Sequence, residues 1–179
     1  TRQNIADDLY HKYSISLSMF DNDAAAEYLR LRTELDSLNT SYIDEYADFL
    51  CDYLGDYQQA YDMLLKAESR FIVDESHQRS LGECYGMLSA VAAYLGDKDM
   101  AIGYAIRGQQ IFSTLPDSAY EQAVCQCNIG SALCFFGDMS NGLSELKKGV
   151  DMLSEFDDPD KLPGLADVEN NLGLMYYSA

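Results

Sequence analysis

The side chains of this sequence that could do chemistry are five cysteines, two histidines and several runs of carboxylates. Cys125 and Cys127 come nearest to a ligand pair. On a helix, residues two apart point about 200° away from each other, so these thiols cannot easily share a metal. Only His11 and His77 could add imidazole. An odd number of thiols, four of the five on apolar helix faces, reads as small reduced core residues, and a reducing cytoplasm is the expected compartment. The stretches "DNDAAAE", "DEYADFLCDYLGD" and "SEFDDPD" offer acid–base pairs or calcium ligands in principle. "SEFDDPDKLPG" lacks calcium-loop spacing and reads as a solvated connector. There is no G-x-x-x-x-G-K and no G-x-S-x-G. "LGDKDMAIGY" is not a dinucleotide loop, because no strand precedes it. The expectation is a non-enzyme with no catalytic residue, no cofactor and no metal.

Chemistry of recognition is better represented. Fourteen tyrosines and no tryptophan occur. Tyrosine joins a large contact area to a polar tip and is favoured at interfaces, although large residues between helices are also ordinary core. Asn128 and Asn171 each offer a donor and an acceptor, which suits them to clamp a peptide backbone without reading its sequence; each could equally satisfy a neighbouring helix. Thirty acidic residues face twelve basic ones, a net charge of −18. Nucleic acid and anionic membrane surfaces are therefore excluded as partners. The charge either serves solubility or attracts a basic partner. No apolar run approaches the ~20 residues of a membrane span, and the first residues carry no secretory signal. The chain does not start with methionine, and the expectation is a fragment of something longer.

The elements that position these residues are announced by a repeated phrase. "LGDYQQAYDM" starts at Leu54, "LGDKDMAIGY" at Leu95 and "FGDMSNGLSE" at Phe136, so Gly55, Gly96 and Gly137 stand 41 residues apart. Before Gly137, Val124, Cys127, Ile129, Ala132, Leu133 and Phe136 are apolar at helical spacing. After it, Leu143, Leu146, Val150 and Leu153 form one stripe. Glycine accepts the left-handed conformation that ends a helix, and aspartate caps the next one. Asp56 followed by Gln59 fits a capping box. A weaker copy places Asp21-Asn22 where the others have Gly-Asp. Each copy therefore predicts two antiparallel helices with an abrupt turn between them.

Repeats of this length mean a stacked array, and these residues resemble the tetratricopeptide repeat (TPR). Ile129-Gly130, Leu133, Gly137-Asp138 and Leu146 carry the pattern, as do Leu88, Ala92, Gly96-Asp97 and Ala101, and Cys51, Gly55-Asp56, Ala60 and Ala67. Ser89 and Asp48 depart from the usual first glycine, Gly142 and Gly149 from the usual alanine; Asp48 implies an exposed or looser contact. Ala26 to Ala60 is 34 residues, whereas Ala60 to Ala101 and Ala101 to Gly142 are 41 each. Seven extra residues are close to two helical turns and leave the inward face unchanged. The resemblance implies an all-α fold, a right-handed superhelical solenoid of antiparallel hairpins with about four and a half repeats. Residues 1–179 would form a single array, with repeats near 5–38, 40–73, 77–115 and 117–156 and a half repeat at 163–179.

In such arrays the first helix of each pair lines a concave groove. By that resemblance the partner-binding residues are Tyr42, Glu45, Tyr46, Phe49, Asp52 and Tyr53 in one helix. Glu83, Met87, Ala90 and Tyr94 follow in the next, then Asn128, Ser131 and Phe135. Asp167, Asn170, Asn171, Leu174 and Tyr177 come last. The groove so built is acidic and aromatic, suited to a protein or peptide segment with basic and apolar side chains, and weakened by salt. It lacks the lysines of the chaperone-tail clamp. The implied function is a protein–protein interaction scaffold, the sensory or docking domain of a larger, bacterial, signalling protein. Two alternatives stay open: a peptide- or small-molecule-sensing domain controlling an attached diguanylate cyclase or helix-turn-helix, and a self-association module working through the open C-terminal end.

Overall fold

The computed structural model describes residues 1–156. They fold into eight α-helices and one 3₁₀ turn, without a strand among the described residues. Two units divide the chain at Ser80 and Leu81. The first holds α1 (Arg2–Ser18), α2 (Asn22–Leu35), α3 (Thr40–Asp52) and α4 (Tyr57–Phe71), then the 3₁₀ turn Glu75–His77 and the start of α5. The second holds the rest of α5 (Gln78–Tyr94), α6 (Lys98–Phe112), α7 (Ala119–Phe135) and α8 (Met139–Leu153). The expected half repeat at 163–179 lies outside the described residues.

The Gly-Asp junctions work as turn chemistry requires. Gly55, Gly96 and Gly137 have φ of 63°, 82° and 87°, the left-handed region that a side chain resists. At two of them the backbone closes a Schellman motif. The Asp97 N–H donates to the Ala92 carbonyl at 3.0 Å and that of Asp138 to the Leu133 carbonyl at 2.9 Å. Each aspartate then caps the following helix: Asp56 Oδ1 accepts from the Gln59 N–H at 3.0 Å, Asp97 Oδ1 from Met100 at 2.9 Å, and Asp138 Oδ1 from Asn141 at 3.4 Å.

Two details differ from the sequence expectation. At the first junction Asp21 is the cap, accepting from the Ala24 N–H at 3.1 Å, and Phe20 takes the left-handed place at φ 59°. The Asp21 N–H still reaches the Ser16 carbonyl at 2.9 Å, so the same motif closes with a bulky residue where glycine is easier. The capping box at Asp56 is half formed. The Gln59 side chain does not turn back; its Nε2 donates to the Tyr46 hydroxyl at 3.1 Å.

In the first unit Leu29, Ile43, Leu50, Leu64 and Phe71 are almost wholly buried where the helices meet. In the second, α7 touches both α6 and α8. The contact with α8 is made through missing side chains. A Cβ on Gly130 would stand 2.5 Å from the Leu146 nitrogen, and one on Gly142 or Gly149 would collide with the sulfur of Cys134 or Cys127. The buried stripe of α8 is therefore Gly142, Leu146, Gly149 and Leu153, with Leu143 and Val150 only half buried beside it. All five thiols are free and buried. Burial disfavours the thiolate, pushing Cys125 up to about 12 and Cys127 and Cys51 up to about 11.

Candidate binding groove

The expected groove residues separate into two environments. In the first unit the face of α3 is already filled. Tyr42, Tyr46 and Phe49 are buried. The Tyr13 ring of α1 packs edge-on against Phe49 at 5.8 Å, and Tyr53 stacks on Phe49 at 4.9 Å. Arg32 of α2 lies between the Tyr42 and Tyr10 rings, its Cζ 3.9 and 4.6 Å from their centroids, and its Nη1 pairs with the Glu45 carboxylate. A guanidinium between two aromatic faces with a carboxylate at its tip fills this face with structure, although its buried Nε has no hydrogen-bond partner among the described residues. Of the residues expected here, Asp52 and Tyr53 remain exposed, Tyr53 by 54%.

In the second unit α5 and α7 enclose an open cavity of about 240 Å³. Both helices present small residues toward each other: Ser89, Ala90 and Ala93 on α5, Ser131 and Ala132 on α7. Tyr94 and Phe135, the last residues of their helices, form its aromatic walls. They occupy the same place in successive repeats, 41 residues apart. Their rings meet edge to face, 6.5 Å between centroids at 78°, yet they stay 52% and 59% exposed. A sequence that hides Phe112 and Leu146 completely leaves two aromatic faces in water here.

Asn128 supplies the polar element. Its amide reaches across to α5, where a Cβ added to Gly86 would lie 3.7 Å from Nδ2. Neither Asn128 nor Ser131 makes a side-chain hydrogen bond to another described residue. The Ser89 hydroxyl is committed, donating to the Ala101 carbonyl at 2.7 Å. The cavity therefore offers a donor-and-acceptor amide and one hydroxyl above an apolar floor. From Leu81 onward α5 carries one charged residue, Glu83, and α7 carries one, Glu121. Past the walls come the caps Asp97 and Asp138, and the Asn141 side-chain amide that bonds to Asp138 holds its carboxyl below the usual range. Glu83 and Met87 are half buried on the same helix. Asn170, Asn171 and Tyr177 lie outside the described residues, as do Asp167 and Leu174. The repeat pattern in the sequence points to Ala90, Tyr94, Asn128, Ser131 and Phe135 of this lining; it does not point to Ser89, Ala93 and Ala132, whose only signal is their small size beside the walls.

No family model matches the chain, and no curated protein matches it. Among solved structures it is similar to YrrB, a TPR protein with an unusual peptide-binding site. The identity is 20%, the coverage 93% of this chain and 73% of that one, and the TM-score 0.48. It is likewise similar to PilF of Pseudomonas aeruginosa, at 19% identity over 97% of this chain and 78% of that one, with a TM-score of 0.48. The fold is a run of antiparallel helix hairpins. Antiparallel hairpins, each turned at a left-handed residue and capped by an aspartate, recur down the described chain. Among the described residues no cluster of His, Cys, Asp or Glu has the makings of a metal site, and no helix is long and apolar enough to cross a membrane.

Proposed function

We propose that this chain is a protein-interaction module that binds a segment of a partner protein in the α5–α7 groove. The observation that carries the reading is the pair Tyr94 and Phe135: two large aromatics left half in water, at equivalent repeat positions, over a floor of small residues. Exposed aromatic area beside an amide not bonded to another described residue is the composition of a recognition surface. Its surroundings are acidic, which favours a basic and apolar segment and makes the binding weaken with salt. Within this reading the module would be the sensory or docking part of a larger bacterial signalling protein, a context supported by the resemblance of its lengthened repeats to those of such proteins.

Site-specific photocrosslinking in the cells of origin tests it. With benzoylphenylalanine at position 90, in the groove, discrete protein adducts should form that are missing when the same group is placed at position 147 on the exposed side of α8. Matching adduct patterns at both positions would reject the groove as the docking site.

A further inference from the structure

Resting on that reading, we propose that the α5–α7 cavity bounded by Tyr94 and Phe135 is an anchor subsite for one aromatic side chain of the partner, flanked in the partner by lysine or arginine. Size comes first. At about 240 Å³ and open to water, the cavity falls short of the ~300 Å³ at which pockets begin to enclose a whole small molecule. It has room for one large side chain. Its floor is the methyl groups of Ala90, Ala93 and Ala132, which offer no partner for a charged or amide head. Shape comes second. The two wall rings stand at 78° to each other, so an inserted ring meets one wall edge-on while lying along the other, the two arrangements aromatic pairs prefer. An aliphatic side chain would fill the volume without that gain.

Polarity fixes the register. The Asn128 amide stands at the cavity with its hydrogen-bonding capacity unused by any other described residue. It is placed to pair with the backbone of the segment next to the anchor. Charge selects the neighbours. The groove-forming part of α5 and the whole of α7 contain two carboxylates and no basic residue; Asp97 and Asp138 follow three residues after the two walls, with Lys98 a cation close to Asp138, so the local balance stays acidic. A lysine or arginine beside the anchor finds opposite charge; an acidic neighbour is repelled. The same charge argues against a second copy of this chain as the occupant, since each copy carries −18.

The test uses a phage-displayed random dodecapeptide library, panned on the full chain and on Ala90→Leu. Ala90 is exposed, and leucine keeps helix propensity while filling the floor. Tyr94→Ala serves as a second variant if Ala90→Leu fails to fold. Sequences enriched on the parent alone should share an aromatic residue with Lys or Arg close by. Replacing that aromatic by alanine, or those bases by glutamate, should raise Kd about tenfold each in isothermal titration. Enriched peptides that need Ala90 but lack the aromatic, or are acidic, would overturn the anchor and leave the interaction reading standing. Equal enrichment on parent and variant, or none, would overturn both. A dimer seen in sedimentation that Ala90→Leu abolishes would give the cavity to a second copy and overturn the anchor too.

Discussion

Replacing Gly130 by alanine tests how the second unit is held together. An added Cβ would sit 2.5 Å from the Leu146 backbone nitrogen, 2.7 Å from Leu146 Cγ and 2.8 Å from the Gly142 carbonyl oxygen. Two of these are backbone atoms of α8, so no rotamer change relieves the clash. Carbon contacts settle near ~3.5 Å, so α7 and α8 must part by roughly 1 Å there. Leu146, now fully buried, would lose part of its packing. Alanine gains about 1 kcal/mol of helix propensity over glycine, and overpacking against backbone costs about 3 kcal/mol, leaving a net loss near 2 kcal/mol. For a chain of this size that is a fall of about 4–8 °C in Tm. Gly103→Ala is the internal control: a Cβ there meets nothing within 4 Å, so propensity alone should raise Tm by about 2–4 °C. Both are read by circular dichroism melts at 222 nm and by urea unfolding. If Gly130→Ala melts at or above the parent while Gly103→Ala rises, the close α7–α8 approach is wrong.

Asp138 is held below the ordinary carboxyl range by its bonds to Asn141, so the stability it contributes is present at neutral pH and disappears as pH falls through the lowered value; Asp138→Asn, still a good cap, should melt slightly below the parent at neutral pH and lose less of its Tm as the pH drops below the ordinary carboxyl range, and an unchanged acid profile would deny the charge its role. The five thiols are buried, and burial raises Cys51, Cys125, Cys127 and Cys134, so native protein should be nearly unreactive to Ellman's reagent at pH 8 and give all five in guanidinium; rapid reaction of the native chain would contradict the core assignment. Arg32→Lys should destabilise the first unit by about 1–2 kcal/mol in urea unfolding, because an ammonium cannot cover both the Tyr10 and Tyr42 rings; an unchanged midpoint would deny the stack.

The junctions were legible because turn chemistry is local. Gly55, Gly96 and Gly137 needed no knowledge of the rest of the chain to be placed at positive φ, nor did the aspartate caps. Phe20 was not legible, since nothing in an isolated "MFDN" says that the bulky residue, not Asp21 or Asn22, takes the left-handed place. The stripe on α8 was misjudged by one position: glycine carries no hydrophobic signal, and Gly142 and Gly149 are buried only because cysteine sulfurs of α7 occupy the space beside them. For α7 the difficulty was general. A helix packed against neighbours on two sides buries Ala123, Cys125, Cys127, Gly130, Ala132 and Cys134, which is no single stripe. The groove divided for a tertiary reason. Tyr53, the repeat equivalent of Tyr94 and Phe135, stays exposed as they do, but Tyr42, Tyr46 and Phe49 on the same helix are buried, with side chains of α1 and α2 packed on Phe49 and Tyr42. Whether the other aromatics of that helix face core or water depends on residues of neighbouring helices, which local pattern does not report.

The most direct measurement of the central claim is a ¹⁵N-labelled chain titrated with a library-selected peptide and followed by heteronuclear NMR. Amide shifts, together with the Asn128 side-chain amide, should move in a contiguous set from Ser89 to Tyr94 and from Asn128 to Phe135, while α8 stays still. Shifts centred on α8 or on the first unit, with the Asn128 amide unmoved, would contradict it.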